Sequence, residues 1–176
     1  EWIALADEIA GTGKDVVLSS LSLIEAESEL GVLARLVAHG RFWIEANDLS
    51  AVQLCRGAGL PFVAGPSLNV YNHRALAMLM EDGLRRWVPG VEQGHVLISE
   101  LRDALLEEGG TMPELEVIAW GRLPLSFSAR CFTARARDVP KDQCGCRCID
   151  YPDGMPLATR EGKPFLRING IQVQGE

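Results

Sequence analysis

Short apolar runs alternate with amphipathic stretches along the first two thirds of the chain. Each apolar run is five to eight residues long and is bounded by polar or turn residues, as is typical of strands. Each of the first four is followed by a longer stretch with apolar positions three or four residues apart, the period of a helix. The sequence predicts strands at residues 15–20, 42–46, 61–66, 85–89 and 114–121, with helices at residues 21–38, 48–57, 73–83 and 95–108.

Strands that alternate with single helices form parallel βα units, which build either an open doubly wound sheet or a (β/α)8 barrel. No strand is followed by a GxGxxG or GxxxxGK[ST] loop, the nucleotide-binding signatures that favour the open sheet. Complete barrels typically need about 250 residues. The predicted fold class is therefore α/β, with parallel βα units forming part of a TIM-like barrel over residues 1–122.

The first residues, EWIALADEIAGTG, predict an amphipathic helix that is already under way. Trp2, Leu5, Ala6 and Ile9 stand at helical spacing, with no N-cap residue or initiator methionine before them. We therefore expect the chain to be a fragment of a longer protein.

A different pattern begins after the fifth strand. Residues 123–150 form a cysteine-rich segment, and residues 151–176 are rich in turn residues. Within the latter, residues 164–168 and 171–174 flank an Asn-Gly pair, which is favoured in the two-residue type I′ turn of a hairpin. The sequence thus predicts a C-terminal β-hairpin that extends the same domain.

Bulk composition narrows the possible functions. Hydrophobic side chains make up 47% of the 176 residues, enough for one substantial core. Seventeen basic against twenty-four acidic residues give a net charge of −7, which argues against DNA and disfavours RNA as a large ligand. The sequence shows no secretory leader and no apolar run long enough to span a membrane, so we expect a cytoplasmic protein.

Four of the five cysteines, Cys131, Cys144, Cys146 and Cys148, lie within eighteen residues. Thiolates are soft ligands that select zinc or an iron–sulfur cluster over hard cations, and interleaved arginine and lysine side chains suit an anionic cluster. Zinc motifs more often use C-x-x-C spacing, so zinc is the second choice. A pair of disulfides is the alternative without metal. We expect Cys55 to be a small buried side chain, the usual state of a free cysteine.

Polar residues follow the predicted strands, at the edge where barrels place their catalytic face. Glu45 ends a buried strand, so its carboxylate must either pair with a strand-end arginine or face a cavity and a substrate. Asn69 and Asn72 could orient a polar ligand, although Asn72 better fits a helix cap. The candidates at this edge are Ser19, Ser20, Glu45, Asn47, Asn69, Tyr71, Asn72, Glu92, Trp120 and Arg122, and those considered for catalysis are Glu45, Asn69, Asn72 and Glu92.

Several segments together resemble the anaerobic ubiquinone-biosynthesis members of the collagenase-like U-class peptidase family. The resemblance extends along essentially the whole chain. Its motifs are VVLSSLSLIEAESEL (16–30), EANDLSAVQL (45–54), LPFVAGPSLNVYN (60–72), RWVPGVE (86–92), GRLPLSFSARCF (121–132), PKDQC (140–144), YPDG (151–154) and FLRINGIQVQ (165–174).

The resemblance implies an incomplete barrel with a four-iron four-sulfur cluster, required for O2-independent hydroxylation of a ubiquinone precursor, with prephenate as the hydroxyl donor. It implies a heterodimer with a paralogous subunit, UbiU, and contact with the quinone precursor or its lipid-binding carrier. Cys131, Cys144 and Cys148 match three of the family's cluster ligands, and the fourth would lie upstream of Glu1. Cys146 is a weaker substitute for that ligand.

Two other functions stay open from the sequence. One is RNA hydroxylation, the activity of a relative in the same family. The other is a non-catalytic scaffold subunit stabilised by a metal. Peptidase activity is not expected, because the sequence holds no serine-nucleophile motif and no HExxH zinc motif.

Overall fold

The predicted alternation of strands and helices is present in the first part of the chain as a parallel sheet with helices between its strands. The structure, a computed structural model, describes residues 2–176, apart from the side chain of Asp142. The strands are β1 (Val17–Ser19), β2 (Trp43–Ala46), β3 (Phe62–Ala64), β4 (Leu84–Trp87) and β5 (Glu114–Leu115), and the helices are α1 (Trp2–Ala10), α2 (Glu27–His39), α3 (Leu49–Ala58), α4 (His73–Glu81) and α5 (His95–Glu107).

The chain divides into two compact units, the first ending at Val117 and the second beginning at Ile118. In the first unit the strand order is β1-β2-β3-β4-β5, and every neighbouring pair is parallel. The α/β class and the parallel arrangement predicted from the sequence are thus confirmed. None of the helices within residues 2–176 has the length and apolar character needed to cross a membrane.

One face of the parallel sheet packs against the helices. Along β2, Ile44 and Ala46 are buried and alternate with the half-buried Trp43 and Glu45, as expected from the two-residue period of a strand. The core combines this face with apolar side chains from α2 to α5: Leu33, Val37, Ile44, Ala46, Ala51, Val52, Cys55, Phe62, Ala64, Val70, Leu76, Leu79, Leu84, Trp87, Leu101 and Leu105.

Helix α2 begins six residues later than the sequence pattern indicates. The prediction began this helix at residue 21, whereas the structure begins it at Glu27. The Glu29 carboxylate accepts hydrogen bonds from the backbone N–H groups of Glu25 (2.9 Å) and Ala26 (3.1 Å), which satisfies donors that a helix start leaves unpaired. Serines at 20 and 22 make hydrogen bonds outside a helix, so residues 20–26 form a loop.

The fifth strand is much shorter than predicted. Its expected range was 114–121, but only Glu114 and Leu115 pair with β4, and Glu116 N donates one further bond to Trp87 O at 3.0 Å. Val117 and Ile118 are largely exposed, so an apolar run there does not mark a buried strand.

The second unit is built on a small antiparallel sheet. Its strands are β6 (Pro124–Phe127), β7 (Met155–Ala158), β8 (Pro164–Asn169) and β9 (Gln172–Gly175), in the order β6-β9-β8-β7, and one short helix, α6 (Phe132–Ala136), lies within the cysteine-rich segment. The predicted C-terminal hairpin is β8–β9. The sequence analysis missed β6 and β7, which are short and contain prolines.

The turn of this hairpin differs from the predicted type I′. Asn169 belongs to β8 and pairs with Gln172, so Gly170 and Ile171 are the two connecting residues. Of these, only Gly170 has a positive φ, 57°. A glycine with positive φ at the first central position is the pattern of a type II′ turn.

Candidate functional site

The carboxyl ends of β1 and β2 bring two predicted site residues together. Ser19 stands opposite Glu45 in the parallel register, so their side chains project on the same side of the sheet. Ser19 Oγ donates a hydrogen bond to Glu45 Oε1 at 3.1 Å. The sequence analysis placed both residues at this edge, and the structure places them in contact.

Asn47 is the buried centre of this network, only 6% exposed. Its Nδ2 donates to Glu45 Oε1 at 2.7 Å and to Ser19 Oγ at 3.0 Å. Its backbone N–H donates to Ser20 Oγ at 2.9 Å, and its Oδ1 accepts from Ser67 N at 3.4 Å. Asn47 therefore joins the ends of β1 and β2 to the turn that follows β3.

Glu45 is not paired with a strand-end arginine, one of the two alternatives left open by the sequence. In the part of the chain that the structure describes, no cation lies within ion-pair distance of its carboxylate. The nearby strand arginine, Arg86, is instead bound by Glu114 (2.9 Å) and Glu116 (3.0 Å). The hydrogen bond that Arg86 donates to the Glu114 carboxylate raises the pKa of Arg86 above its ordinary value.

The loops after β3 and β4 hold the remaining candidates of the first unit. Asn69 ends a short 3-10 turn, Pro66–Leu68, in a left-handed conformation with φ 55°. Asn72 caps α4, because its side-chain oxygen accepts from Ala75 N at 2.9 Å. The Tyr71 hydroxyl donates to the Glu92 carboxylate.

Gln93, which the sequence analysis missed, ties these two loops together. It is 8% exposed, accepts from Gly90 N at 2.7 Å and donates to Val70 O at 2.7 Å. Gln93 follows the candidate Glu92, but nothing in the sequence indicates that it is buried, because most glutamines lie on the surface.

Two of the predicted residues, Trp120 and Arg122, are not carried by a strand of the parallel sheet. Trp120 and Arg122 follow residue 117 and lie in the second unit, beyond the shortened β5. Trp120 is 95% exposed. Their assignment to the barrel mouth depended on a strand reaching residue 121, and that strand ends at Leu115.

The loop that connects β6 to β7, residues 128–154, carries four cysteines and is held at both ends by the tip of the β8–β9 hairpin. At its start, Ser128 N donates to Ile171 O (2.8 Å) and Phe132 N donates to Gly170 O (2.7 Å). At its end, Asn169 Nδ2 donates to Tyr151 O at 2.9 Å. The hairpin tip thus fixes the two ends of the loop that carries the thiols.

Thr133 makes a further bond between the segment and the hairpin. It is 1% exposed, and its Oγ1 accepts from Gly170 N at 3.0 Å. Among the described residues of the second unit, Ala134 is the only buried apolar one, so hydrogen bonds account for much of what orders this region. The sequence analysis missed Thr133, since a threonine beside a cysteine carries no distinctive signal.

The cysteines occupy distinct local environments. Cys131 is the N-cap of α6, and its sulfur accepts from Ala134 N at 3.4 Å. Cys144 has right-handed helical angles, whereas Gly145 (φ 59°) and Cys146 (φ 55°) have left-handed φ values. A right-handed residue followed by a left-handed one turns successive N–H groups toward one side, a geometry found around anions and iron–sulfur clusters.

Basic side chains lie beside Cys131. Arg130, Arg135 and Lys141 line a shallow cavity next to Cys131. Arg137 lies over the Tyr151 ring at 5.2 Å and stands 3.9 Å from Asp150. These basic side chains favour anionic ligands.

The cysteine side chains are all free, and their soft sulfur donors suit iron or zinc. Within residues 2–176, the Asp142 side chain aside, no three His, Cys, Asp or Glu side chains lie close enough to hold one metal ion. The donor chemistry of the thiols fits an iron–sulfur cluster, whose ligands bind separate iron atoms.

No protein-family model matches the chain, and no solved structure matches it significantly.

Proposed function

We propose that this chain is a cytoplasmic iron–sulfur protein of O2-independent ubiquinone biosynthesis, similar to UbiV. It would act with the paralogous subunit UbiU in a hydroxylation that takes its oxygen from prephenate. The observation that supports this proposal best is the placement of Cys131, Cys144 and Cys148 on one loop whose two ends are hydrogen-bonded to a single hairpin tip. A loop held in this way limits the chain entropy that is lost when several thiols bind one centre.

The residues that would hold a four-iron four-sulfur cluster are Cys131, Cys144 and Cys148, with a fourth ligand outside this set. A bound cluster would supply one-electron redox chemistry or a structural link. The left-handed residues Gly145 and Cys146 make the turn between Cys144 and Cys148. Arg130 and Arg135, beside Cys131, favour an anionic group.

The parallel βα units would form part of a TIM-like barrel, whose substrate side is the carboxyl edge of the strands. The quinone precursor, or the carrier that delivers it, would meet the chain at that edge, where Glu45, Asn47 and Ser19 are hydrogen-bonded together.

Anaerobic reconstitution with iron and sulfide tests the cluster. We expect bound iron, acid-labile sulfide and a visible sulfur-to-iron charge-transfer absorption in the native chain, and a loss of most of the iron in Cys131→Ser. Cys146→Ser is the matched control, because it removes a thiol from the same loop and should keep the iron. Native protein that takes up neither iron nor sulfide contradicts the proposal, and iron loss confined to Cys146→Ser would assign the ligands differently.

A metal-stabilised scaffold is the second candidate, favoured by the near absence of buried apolar side chains in the second unit. Ubiquinone measured in anaerobic cells that depend on this protein separates the two. If Glu45→Gln retains ubiquinone synthesis while Cys131→Ser abolishes it, the scaffold function is supported. If both variants lose ubiquinone synthesis while Glu45→Gln still binds iron, a direct role of Glu45 at the sheet edge is supported.

A further inference from the structure

Arg130 and Arg135 line one cavity and have no acidic partner. The cavity, of about 580 Å³, is also lined by Lys141 and by a single acidic residue, Asp138. Within residues 2–176, the Asp142 side chain aside, no carboxylate lies within ion-pair distance of either guanidinium group. Two residues whose guanidinium N–H donors are all unused thus line a space of the size that small molecules occupy.

The charge at this cavity is opposite in sign to that of the whole chain. Nine basic and six acidic residues give the second unit a formal charge of +3, whereas the chain carries −7. The other arginines of the loop between β6 and β7, Arg137 and Arg147, each stand 3.9 Å from Asp150, which offsets part of their charge. Arg130 and Arg135 are therefore the arginines of this loop whose charge is left to attract an anion.

The cavity also has an apolar wall that the backbone holds in place. Val139 N donates to Ala134 O at 3.0 Å, so the chain folds back on α6 and brings Val139 and Pro140 to the same cavity as Ala134. Helix α6 is itself tied to the hairpin tip, because Phe132 N donates to Gly170 O at 2.7 Å. A site that is already formed loses little entropy when a ligand binds.

We propose that this cavity binds a small organic anion, with its phosphate or carboxylate group at Arg130 and Arg135 and its apolar part against Val139. A guanidinium group presents a planar fork of N–H donors that matches both kinds of oxyanion. A phosphate group, which carries nearly two negative charges at pH 7, can use both arginines. Of the three proposed cluster ligands only Cys131 lines the cavity, so the anion has a site of its own beside the cluster.

Three compounds that share a ring test the inference on the whole native chain: phenyl phosphate, benzoate and benzyl alcohol. Binding is followed by 1H–15N chemical shifts. We expect saturable shifts at residues 129–141 with phenyl phosphate, and an affinity about tenfold higher than that of benzyl alcohol. Inorganic phosphate should bind more weakly than phenyl phosphate, because it has no apolar part to bury. Benzoate separates the two anions: affinity equal to that of phenyl phosphate indicates a site for carboxylates as well, and affinity equal to that of benzyl alcohol indicates a phosphate site.

Arg130→Gln and Arg135→Gln should each reduce the affinity for phenyl phosphate about five- to tenfold and leave that for benzyl alcohol unchanged, because each removes one charged donor. Arg160→Gln is the matched control, since it removes the same charge from an exposed turn between β7 and β8 that does not line the cavity. Cys148→Ser should lose iron and keep the affinity for phenyl phosphate, so failure of the cluster and failure of this site are distinguishable.

Four results would overturn the proposal. They are the absence of saturable shifts with phenyl phosphate, equal binding of benzyl alcohol, equal binding of inorganic phosphate, and an effect of Arg160→Gln as large as that of Arg130→Gln.

Discussion

A β-carbon placed on Gly65 would lie 2.2 Å from Oδ1 of Asn47, far inside van der Waals contact. The backbone of Gly65 has φ −76° and ψ 165°, a conformation open to any residue. Glycine is therefore required at position 65, because the buried Asn47 amide approaches so closely. This contact holds the end of β3 against Asn47, which in turn binds Ser19 and Glu45.

Gly65→Ala should destabilise the first unit. The added methyl group forces Asn47 away from Glu45, Ser19 or Ser67, with an expected loss of about 1–3 kcal/mol in the free energy of unfolding. Urea denaturation followed by circular dichroism measures the change. Gly57→Ala, within α3 and with no atom near the new methyl group, is the control and should stabilise by about 0.5–1 kcal/mol. Equal stability of Gly65→Ala and the native chain would show that Asn47 can move freely.

Thr133→Val should loosen the cysteine-rich loop. Valine has nearly the same shape but lacks the oxygen that accepts from Gly170 N, and an unpaired buried N–H costs about 1–3 kcal/mol. Hydrogen exchange at Gly170 should become faster, whereas amides of the first unit should keep their rates. Thr133→Ser retains the acceptor and should preserve the slow exchange at Gly170. Fast exchange at Gly170 in the native protein would rule out this bond as an anchor.

Asn72→Ala should lower stability through the cap of α4. Its side chain satisfies Ala75 N, and losing an N-cap costs about 0.5–2 kcal/mol. Thermal unfolding measures the loss, and Asn72→Ser, which can still cap the helix, should recover most of it. If serine and alanine are equally destabilising, capping is not what Asn72 contributes.

Cys55 should react far more slowly than the other thiols. Burial raises its pKa from 9.0 to about 11, because the surroundings cannot solvate a thiolate. At pH 8 roughly one Cys55 thiol in a thousand is then ionised. Iodoacetamide labelling with mass spectrometry, under metal-free reducing conditions, should modify the four cysteines of residues 131–148 first and Cys55 only after denaturation. Rapid labelling of Cys55 in the folded chain would mean that α3 opens readily.

The same shift predicts a pH dependence of stability. Between pH 9 and 11 the unfolded chain loses the Cys55 proton while the folded chain keeps it, so the free energy of unfolding falls as pH rises. Below pH 9 both states are protonated and Cys55 contributes no slope. Denaturation curves from pH 8 to 11 should show a weaker decline in Cys55→Ala, in which this titration is absent. An identical slope in the two proteins would contradict the shift.

Local chemistry explains which elements could be predicted. The helices α3, α4 and α5 agree with the sequence pattern within two residues at each end, because apolar spacing marks their extent and Asp48 and Asn72 cap the first two. The predicted helix α2 began too early, because apolar spacing continues through residues 21–26. In the structure Ser22 bonds to Ser67, and the N–H groups of Glu25 and Ala26 bond to the Glu29 carboxylate, which is not helical bonding. Strands β6 and β7 have weak patterns, and the pairing partner of β6, strand β9, is distant in sequence.

Periodicity and helix caps act over a few neighbouring residues, so the parallel α/β alternation, the C-terminal hairpin and the polar residues at the strand ends could be predicted from local patterns. That Glu45 binds Ser19 and Asn47 rather than an arginine, and that one hairpin tip holds both ends of the loop between β6 and β7, follows from contacts made on folding. These relationships join residues up to 43 positions apart, as in the bond from Ser128 to Ile171. Sheet register and loop closure set such contacts, and no local pattern encodes them.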